Sequence, residues 1–336
     1  MRIVFVWPVV RMSIWDVAKG HRKALGKALG EDNIKDFHLD KRTALFVKML
    51  AEVFGRDEAL VGKMATEAVL PEALYHNADA VLIFSGLNFH PAGLWLLEKC
   101  QVPTSVIFTE SPYEDDQQYE WASTSNSLQV MTNDRFSAEK FGWDYLPHAY
   151  DPDVHYPGPP NDVFPQHDVV IVGSGWPERQ QFLEKVDWTG INLGIYGMWP
   201  GIKDGHPFEK FYTQGNIRNE DTAQLYRNSK ICLNFHRGST TGRSMGPRAV
   251  EIAACGAFQL SDPREELLQV FEQSVPTFET PDDLSAAIRH FLADPLARTT
   301  LAKEAHSRVG AHTFDSRTPL VLDNLRRATR SLKEKV

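Results

Sequence analysis

Cysteine is scarce in this chain: Cys100, Cys232 and Cys255 are the only three in 336 residues, and no two form a C-x-x-C pair. That odd count and wide spacing exclude a disulfide framework and a cysteine zinc module, and predict reduced, buried thiols in a cytoplasmic protein. Long apolar runs are also missing, and no stretch approaches the roughly 18 uninterrupted residues of a membrane span. The opening MRIVFVWPVVRM is apolar, but Pro8 interrupts it and no small-residue cleavage site follows. It reads as a buried first strand rather than a secretory leader. There is no excess of positive charge: 36 Lys and Arg against 44 Asp and Glu give a net charge of -8. A global grip on nucleic acid or anionic lipid is therefore not expected. The 12 histidines include neither H-x-x-x-H nor H-E-x-x-H, so no metal site is predicted. There is no short internal repeat.

What remains is an ordinary globular composition, 42% hydrophobic and 24% charged, long enough for about two domains. Short apolar, β-branched runs alternate with amphipathic helical stretches, the pattern of parallel sheets with helical crossovers. In the first series IVFVW (3–7) precedes a helix opening at Ser13, where Ser13 and Asp16 suggest a capping box. A weak strand (34–38), helical stretches near 41–54 and 57–76, AVLIFS (80–85), TSVIFT (104–109) and LQVMT (128–132) follow. The segment 151–166 holds five prolines and reads as a linker. The second series is DVVIVG (168–173), a helix opening at Pro177, NLGIYG (192–197), KICLNF (230–235) and AFQLS (257–261), each run followed by helix. A last amphipathic helix, about 316–334, carries Leu320, Leu322, Leu325 and Leu332. The predicted organisation is an N-terminal Rossmann-like domain (1–150), a linker (151–166), a C-terminal Rossmann-like domain (167–315) and a final helix (316–336). The fold class is α/β, with two doubly wound sheets facing across a cleft and ligands beyond the carboxyl ends of the strands.

Two loops carry the chemistry. Gly173-Ser174-Gly175-Trp176-Pro177-Glu178-Arg179 joins a buried strand to a helix, where backbone amides and the helix dipole favour a phosphate, and Arg179 lies about one turn into that helix. The stretch 234–262, NFHRGSTTGRSMGPRAVEIAACGAFQLSD, sets Arg237, Arg243 and Arg248 around a flexible loop and a helix start. Guanidinium forks match phosphate oxygens and stay charged. Glu251 sits mid-helix in small or apolar company, where a vicinal diol such as ribose could donate to its carboxylate, or Arg248 could pair with it.

These segments bear a resemblance. VGSGWPER, LNFHR, PRAVEIAACGAFQLSD and the downstream TPDDLSAAIRHFLADPLARTTLAKEAHSRVGAHTFDSR look like the C-terminal half of GT-B glycosyltransferases of glycosyl transferase group 1, in particular the CgeB-related group. YLPHAYDPDVHYP resembles that family's interdomain entry, and VPTSVIFTESPY its strand followed by an acidic residue and proline. The likeness covers about residues 145–315 and is only topological over most of 1–100. It implies a metal-independent enzyme, a hexosyl- or pentosyltransferase, that moves a sugar from a nucleoside diphosphate sugar, a UDP-sugar first, to a hydroxyl acceptor with retention. The last helix should return to the N-terminal domain. Gly173, Gly175, Arg179, Arg248 and Glu251 then fall at the donor diphosphate and ribose, with Ser174, His236 and Arg243 completing the donor set. Arg248 and Arg179 would stabilise the leaving diphosphate. Where many retaining members carry a second glutamate, eight positions before the ribose one, this chain has Arg243.

For the acceptor, Glu110 at the end of TSVIFT is the best-placed carboxylate, with Asn88, His90 and His148 behind it. Trp7 and Trp15 could stack on an acceptor ring or belong to the core. The Asp115–Glu120 run reads as a solvated helix start. The acceptor could be a glycan, a small molecule or a hydroxymethylated base in DNA, the last if Lys19, His21, Arg22, Lys23 and Lys27 form a basic face. A nucleotide-sugar epimerase or hydrolase on the same fold is a second class. A non-catalytic sugar- or nucleotide-binding relic in surface or coat assembly is a third.

Overall fold

The computed structural model describes residues 1–9, 13–51, 57–215, 217–238 and 241–333. The chain divides into two compact units, Met1–Pro147 with Phe314–Val336, and His148–Thr313. In unit 1 the elements are β1 (Ile3–Trp7), α1 (Ser13–Leu29), β2 (Ile34–His38), α2 (Leu39–Ala51), α3 (Glu58–Glu67), α4 (Val69–Tyr75), β3 (Ala80–Phe84), α5 (Pro91–Lys99), β4 (Thr104–Phe108), α6 (Asp115–Ala122), β5 (Gln129–Thr132), α7 (Arg135–Phe141) and β6 (Asp144–Tyr145). Its sheet is parallel throughout, in the order β2-β1-β3-β4-β5-β6. The chain leaves β1 for β2 on one side and β3 on the other, so the switch point lies between β1 and β3. Every residue of β1, β3 and β4 is buried, as a strand covered by helices on both faces requires.

The last helix, α14 (Phe314–Lys333), also belongs to unit 1 and packs on α1 and on β3, β4 and β5. Its buried stripe is Phe314, Thr318, Val321, Asn324, Leu325 and Ala328, spaced by three and four residues. Leu320, expected on that stripe, is exposed, because Val321 takes the inward position. Leu332 lies outside the described side chains, as does the Ser13 hydroxyl expected to cap α1. Gly20 is glycine because the Phe314 ring seats on α1 there; a Cβ would stand 2.1 Å from it.

Unit 2 comprises β7 (His167–Val172), α8 (Pro177–Leu183), β8 (Leu193–Gly197), β9 (Tyr212–Gln214), α9 (Asn219–Asn228), β10 (Ser229–Asn234), α10 (Pro247–Ala254), β11 (Gln259–Ser261), α11 (Glu265–Phe271), α12 (Pro281–Ala293) and α13 (Pro295–Val309). Its sheet, also parallel, runs β11-β10-β7-β8-β9, which puts the switch point between β7 and β10. The proline-rich segment 151–166 is held on this unit by Asn228, which donates to the Asn161 and Phe164 carbonyls and accepts from the Asn161 amide. Among the described residues no helix is long and apolar enough to cross a membrane. Cys232 and Cys255 are buried, but Cys100 is exposed, because it follows the last residue of α5, where the chain leaves the helix.

Candidate functional site

In unit 2 the two loops singled out in the sequence leave the carboxyl ends of β7 and β10, the strands that flank the switch point. The first turns sharply at Gly173, whose φ of 140° is a conformation that side chains resist. Two arginines close over it: a Cβ on Gly173 would lie 2.5 Å from Arg248 Nη2 and 3.5 Å from Arg179 Nη1. Gly175 is glycine for a different reason, since a Cβ there would meet the buried Trp199 indole at 2.3 Å. The amides of Gly173 and Gly175, expected to be open to a phosphate, donate instead to the carbonyls of Tyr196 and Met198. The loop is thus bound to the end of β8, and its stiffness is its contribution.

Arg179 is buried, and its guanidinium forks onto the carbonyls of Ser174 and Phe235. It straps the first loop to the end of β10 and does not face solvent, one of the two placements the sequence left open beside reach to an anion. Arg243 is exposed and lies 3.8 Å from Glu265 of α11. Arg237 lies over the Trp176 ring, 4.4 Å from its centroid.

His236 is the centre of a buried polar knot that sequence reading assigned to the donor. Its Nε2 accepts from the Gly246 amide at 2.8 Å, so Nδ1 carries the proton and donates to Asp262 Oδ1 at 2.7 Å. Both ring nitrogens are therefore committed to the protein. Arg264, also buried, donates to the carbonyls of Arg237 and Gly242, and the buried Glu266 accepts from the Met245 amide. Asp262, Arg264 and Glu266 together shape the loop between β10 and α10. Nothing in the sequence pointed to them except the charged run after AFQLS.

Burial pushes the His236 pKa down, Asp262 opposes that shift, and Arg264 and Arg248 add to it. His167, buried at the start of β7 and paired with Tyr196 Oη at 2.8 Å, is lowered by burial as well. An unfolded histidine takes a proton below about pH 6.5, whereas these two resist it when folded. Unfolding then binds protons, so the stability contribution is complete above that pH and declines as the pH falls. Glu110 acts in the opposite sense, because burial raises its pKa and the native state holds its proton more firmly. The expected result is that His236→Asn and His167→Asn each flatten the fall in thermal midpoint between about pH 7 and about pH 5. Midpoints of wild type and variants across that range check it, and unchanged slopes would contradict it.

Arg248 and Glu251 occupy one face of α10, three residues apart. Among the described residues Arg248 makes a single long hydrogen bond, 3.5 Å to the Phe235 carbonyl. The half-buried Glu251 carboxylate accepts no hydrogen bond and forms no ion pair among the described residues, so the Arg248–Glu251 salt bridge considered from sequence is not made. Desolvating a carboxylate without a partner is costly, and here both charges remain available to something outside the fold.

In unit 1 the expected acceptor-side carboxylate, Glu110, follows β4 beside the β1/β3 switch point. Its Oε1 accepts from Ser85 Oγ at 2.5 Å, and its Oε2 from the Thr109 amide and from Gln118 Nε2 at 3.0 and 3.1 Å. Burial drives its pKa up against those hydrogen bonds. Ser85 is buried with φ 74°, strained backbone at the point where β3 gives way to its loop. Glu110 and Asn88 line a small pocket walled by Ile14, Leu39, Phe84 and Phe89. His90 caps α5, its Nδ1 accepting from the Ala92 amide, and His148 is a buried residue of unit 2. Trp7 and Trp15 pack against each other with ring centroids 4.7 Å apart and both stack on His38, with Trp7 donating to Asp36, so they are wall rather than open platform. Asp115 and Gln118, expected at a solvated helix start, are buried: Asp115 accepts from Ser137 and Gln118 from Ser111. The basic stretch of α1 is neutralised at Arg22 by Asp36 and Glu31 and at Lys27 by Asp315, and His21 is buried against Phe314.

Two units, each built on a parallel doubly wound sheet, make this the GT-B fold, which the solved structures below share. Residues 161–323 match the family described as "Glycosyl transferase-like", and in that segment the chain carries a domain of this family. No curated protein matches the sequence. Among solved structures, the E. coli trehalose-6-phosphate protein bound with UDP-2-fluoro glucose is similar at TM-score 0.64 and 13% identity, over 97% of this chain and 99% of that one. Anabaena HepE in complex with UDP gives 0.62 and 12%, over 97% and 100%. The sucrose-phosphate synthase of Thermosynechococcus elongatus gives 0.60 and 15%, over 81% and 79%.

Proposed function

We propose that the protein transfers a hexosyl or pentosyl group from a UDP-sugar to a hydroxyl acceptor, with retention and without a metal ion. The observation that carries this reading is the uncommitted pair on α10. Arg248, beside the rigid Gly173 turn, would meet the diphosphate, and Glu251, with no partner of its own, would accept the two ribose hydroxyls. Solved neighbours that hold UDP or UDP-2-fluoro glucose support the choice of nucleotide. In the reaction the bond from the sugar's anomeric carbon to the diphosphate oxygen breaks and one to the acceptor oxygen forms. Charge that develops on the leaving diphosphate is met by the fixed guanidinium of Arg248, while Arg179 holds the loop in place. Arginine remains cationic throughout, so the leaving group needs no divalent ion for neutralisation.

Unit 1 is assigned the acceptor. Glu110 is a carboxyl at a strand-end pocket whose pKa burial raises, which makes its carboxylate form a stronger base, suited to take or orient the acceptor proton. Pairing of Arg22 and Lys27 within the protein removes support for a DNA acceptor and favours a glycan or small metabolite. Glu110→Gln keeps shape but cannot accept a proton, and is expected to lower transfer from a UDP-sugar on the order of 10²–10⁴-fold while leaving UDP affinity unchanged. Sugar transfer and UDP release, followed with a panel of UDP-sugars and hydroxyl acceptors, test this. UDP release that needs no acceptor would favour the hydrolase reading. Nucleotide binding without turnover would favour the non-catalytic one.

A further inference from the structure

We infer that unit 1 carries a second binding site, for a ring of a neutral oligosaccharide, at the amino-terminal edge of its sheet. A cavity of about 250 Å³ opens there between α6 and the starts of β5 and β6, lined by Tyr119, Ser123, Gln129, Gly142, Trp143 and Asp144. Tyr119 is 49% exposed and stacks on Phe141 with ring centroids 4.8 Å apart; Phe141 in turn rests on Trp143 at 4.5 Å. The platform is therefore a rigid slab of aromatic rings, which loses little conformational entropy on binding.

Its polar rim has hydrogen-bonding capacity to spare. The half-buried Gln129 carboxamide, donor and acceptor both, makes no hydrogen bond among the described residues. Asp144 is fixed from α14: Oδ2 accepts from Asn324 Nδ2 at 2.6 Å and from Arg327, while Oδ1 takes no partner among the described residues. Planar acceptors and donors beside an exposed ring match a pyranose, which has a C–H face and a rim of hydroxyls. The Asp144 carboxylate disfavours an anionic ligand, and its pairing with Arg327 leaves little net charge to hold a cation. Gln129 pairs in register with Ser105 at the start of β4, whereas Glu110 follows the other end of that strand, on the order of 15 Å away. The cavity is thus separate from the Glu110 pocket, and it does not depend on the proposed transfer.

Calorimetric titration with maltotetraose, cellotetraose, chitotetraose and mannotetraose tests the site without donor or turnover. The expected result is millimolar binding of at least one of them, weakened about tenfold by Tyr119→Ala and by Gln129→Ala and unchanged in Glu251→Ala and Glu110→Gln. Both substituted positions are at the surface, and unaltered thermal midpoints would confirm that the variants fold. Three results would overturn the inference. These are no binding by the folded wild type, binding that survives both cavity variants, and binding lost in Glu251→Ala or Glu110→Gln.

Discussion

Replacing Glu251 by alanine is expected to weaken UDP binding by about 1.5–3 kcal/mol, roughly 10- to 150-fold, without lowering the thermal midpoint. The loss follows from a charged acceptor that the fold leaves unused. A carboxylate on α10 that accepts no hydrogen bond from the described residues gives nothing to native stability and costs something in desolvation. Its removal should therefore be neutral or slightly stabilising to the free protein. The ribose hydroxyls would lose a charge-assisted partner, which neutral side chains replace only in part. Glu251→Gln, which keeps one carbonyl acceptor, should fall between wild type and alanine. Arg248→Ala is expected to cost a similar amount through the diphosphate. Titration of UDP into each variant checks the pair, and full affinity in both would place the nucleotide elsewhere.

A larger effect on stability is expected from Gly197→Ala. Gly197 ends β8 with φ 109°, and a Cβ there would stand 2.3 Å from the Gly173 carbonyl oxygen and 3.0 Å from its carbon. These are backbone atoms and cannot rotate aside. Strain of about 1–3 kcal/mol for the dihedral and about 1–3 kcal/mol for overpacking add to roughly 2–6 kcal/mol. Relief requires the Gly173 turn to move, and that turn seats Arg248, so UDP affinity should fall as well. Gly190→Ala is the control, because its φ of 74° is similarly unfavourable but a Cβ there meets nothing within 4 Å. Denaturant midpoints of the two variants measure the difference. Equal losses would show that the close approach to Gly173 is not what makes Gly197 a glycine.

Much of the fold is legible because parallel α/β structure writes its period locally. Runs such as AVLIF and VVIV are buried on both faces and so are continuously apolar, and Pro177, Pro247 and Pro281 stand in the first turns of the helices they open. The long helical stretch predicted near 57–76 is two helices, α3 and α4, meeting at Ala68. The break is written in the sequence, because Pro71 has no N–H to give the Glu67 carbonyl four residues back and its ring clashes with that carbonyl, so α3 ends at Glu67. The edge strand β9 and the short helix α7 carry too few apolar residues to be noticed.

The site was legible by residue type and less so by role. Arginines and a helical glutamate after a glycine turn predict an anion and a diol. They do not reveal that Arg179 is bound to a carbonyl 56 positions away, or that His236 is engaged by Asp262 and Gly246. Those partners come together only when β7, β10 and β11 align. Leu320 and Cys100 show the same boundary on a small scale: both are apolar enough to suggest burial, yet Leu320 is exposed because Val321 holds the inward position and Cys100 because the chain leaves α5 there.

The central claim is that the α10 face and the Gly173 turn form a nucleoside diphosphate site. It is tested most directly by thermal shift with UDP, GDP, ADP and CMP, each well above its expected dissociation constant. A ligand at 100 times that constant adds about 2.7 kcal/mol to stability. The account predicts a concentration-dependent rise in midpoint with UDP, larger than with the other nucleotides and smaller in Glu251→Ala. A folded protein whose midpoint none of the four nucleotides moves would contradict it.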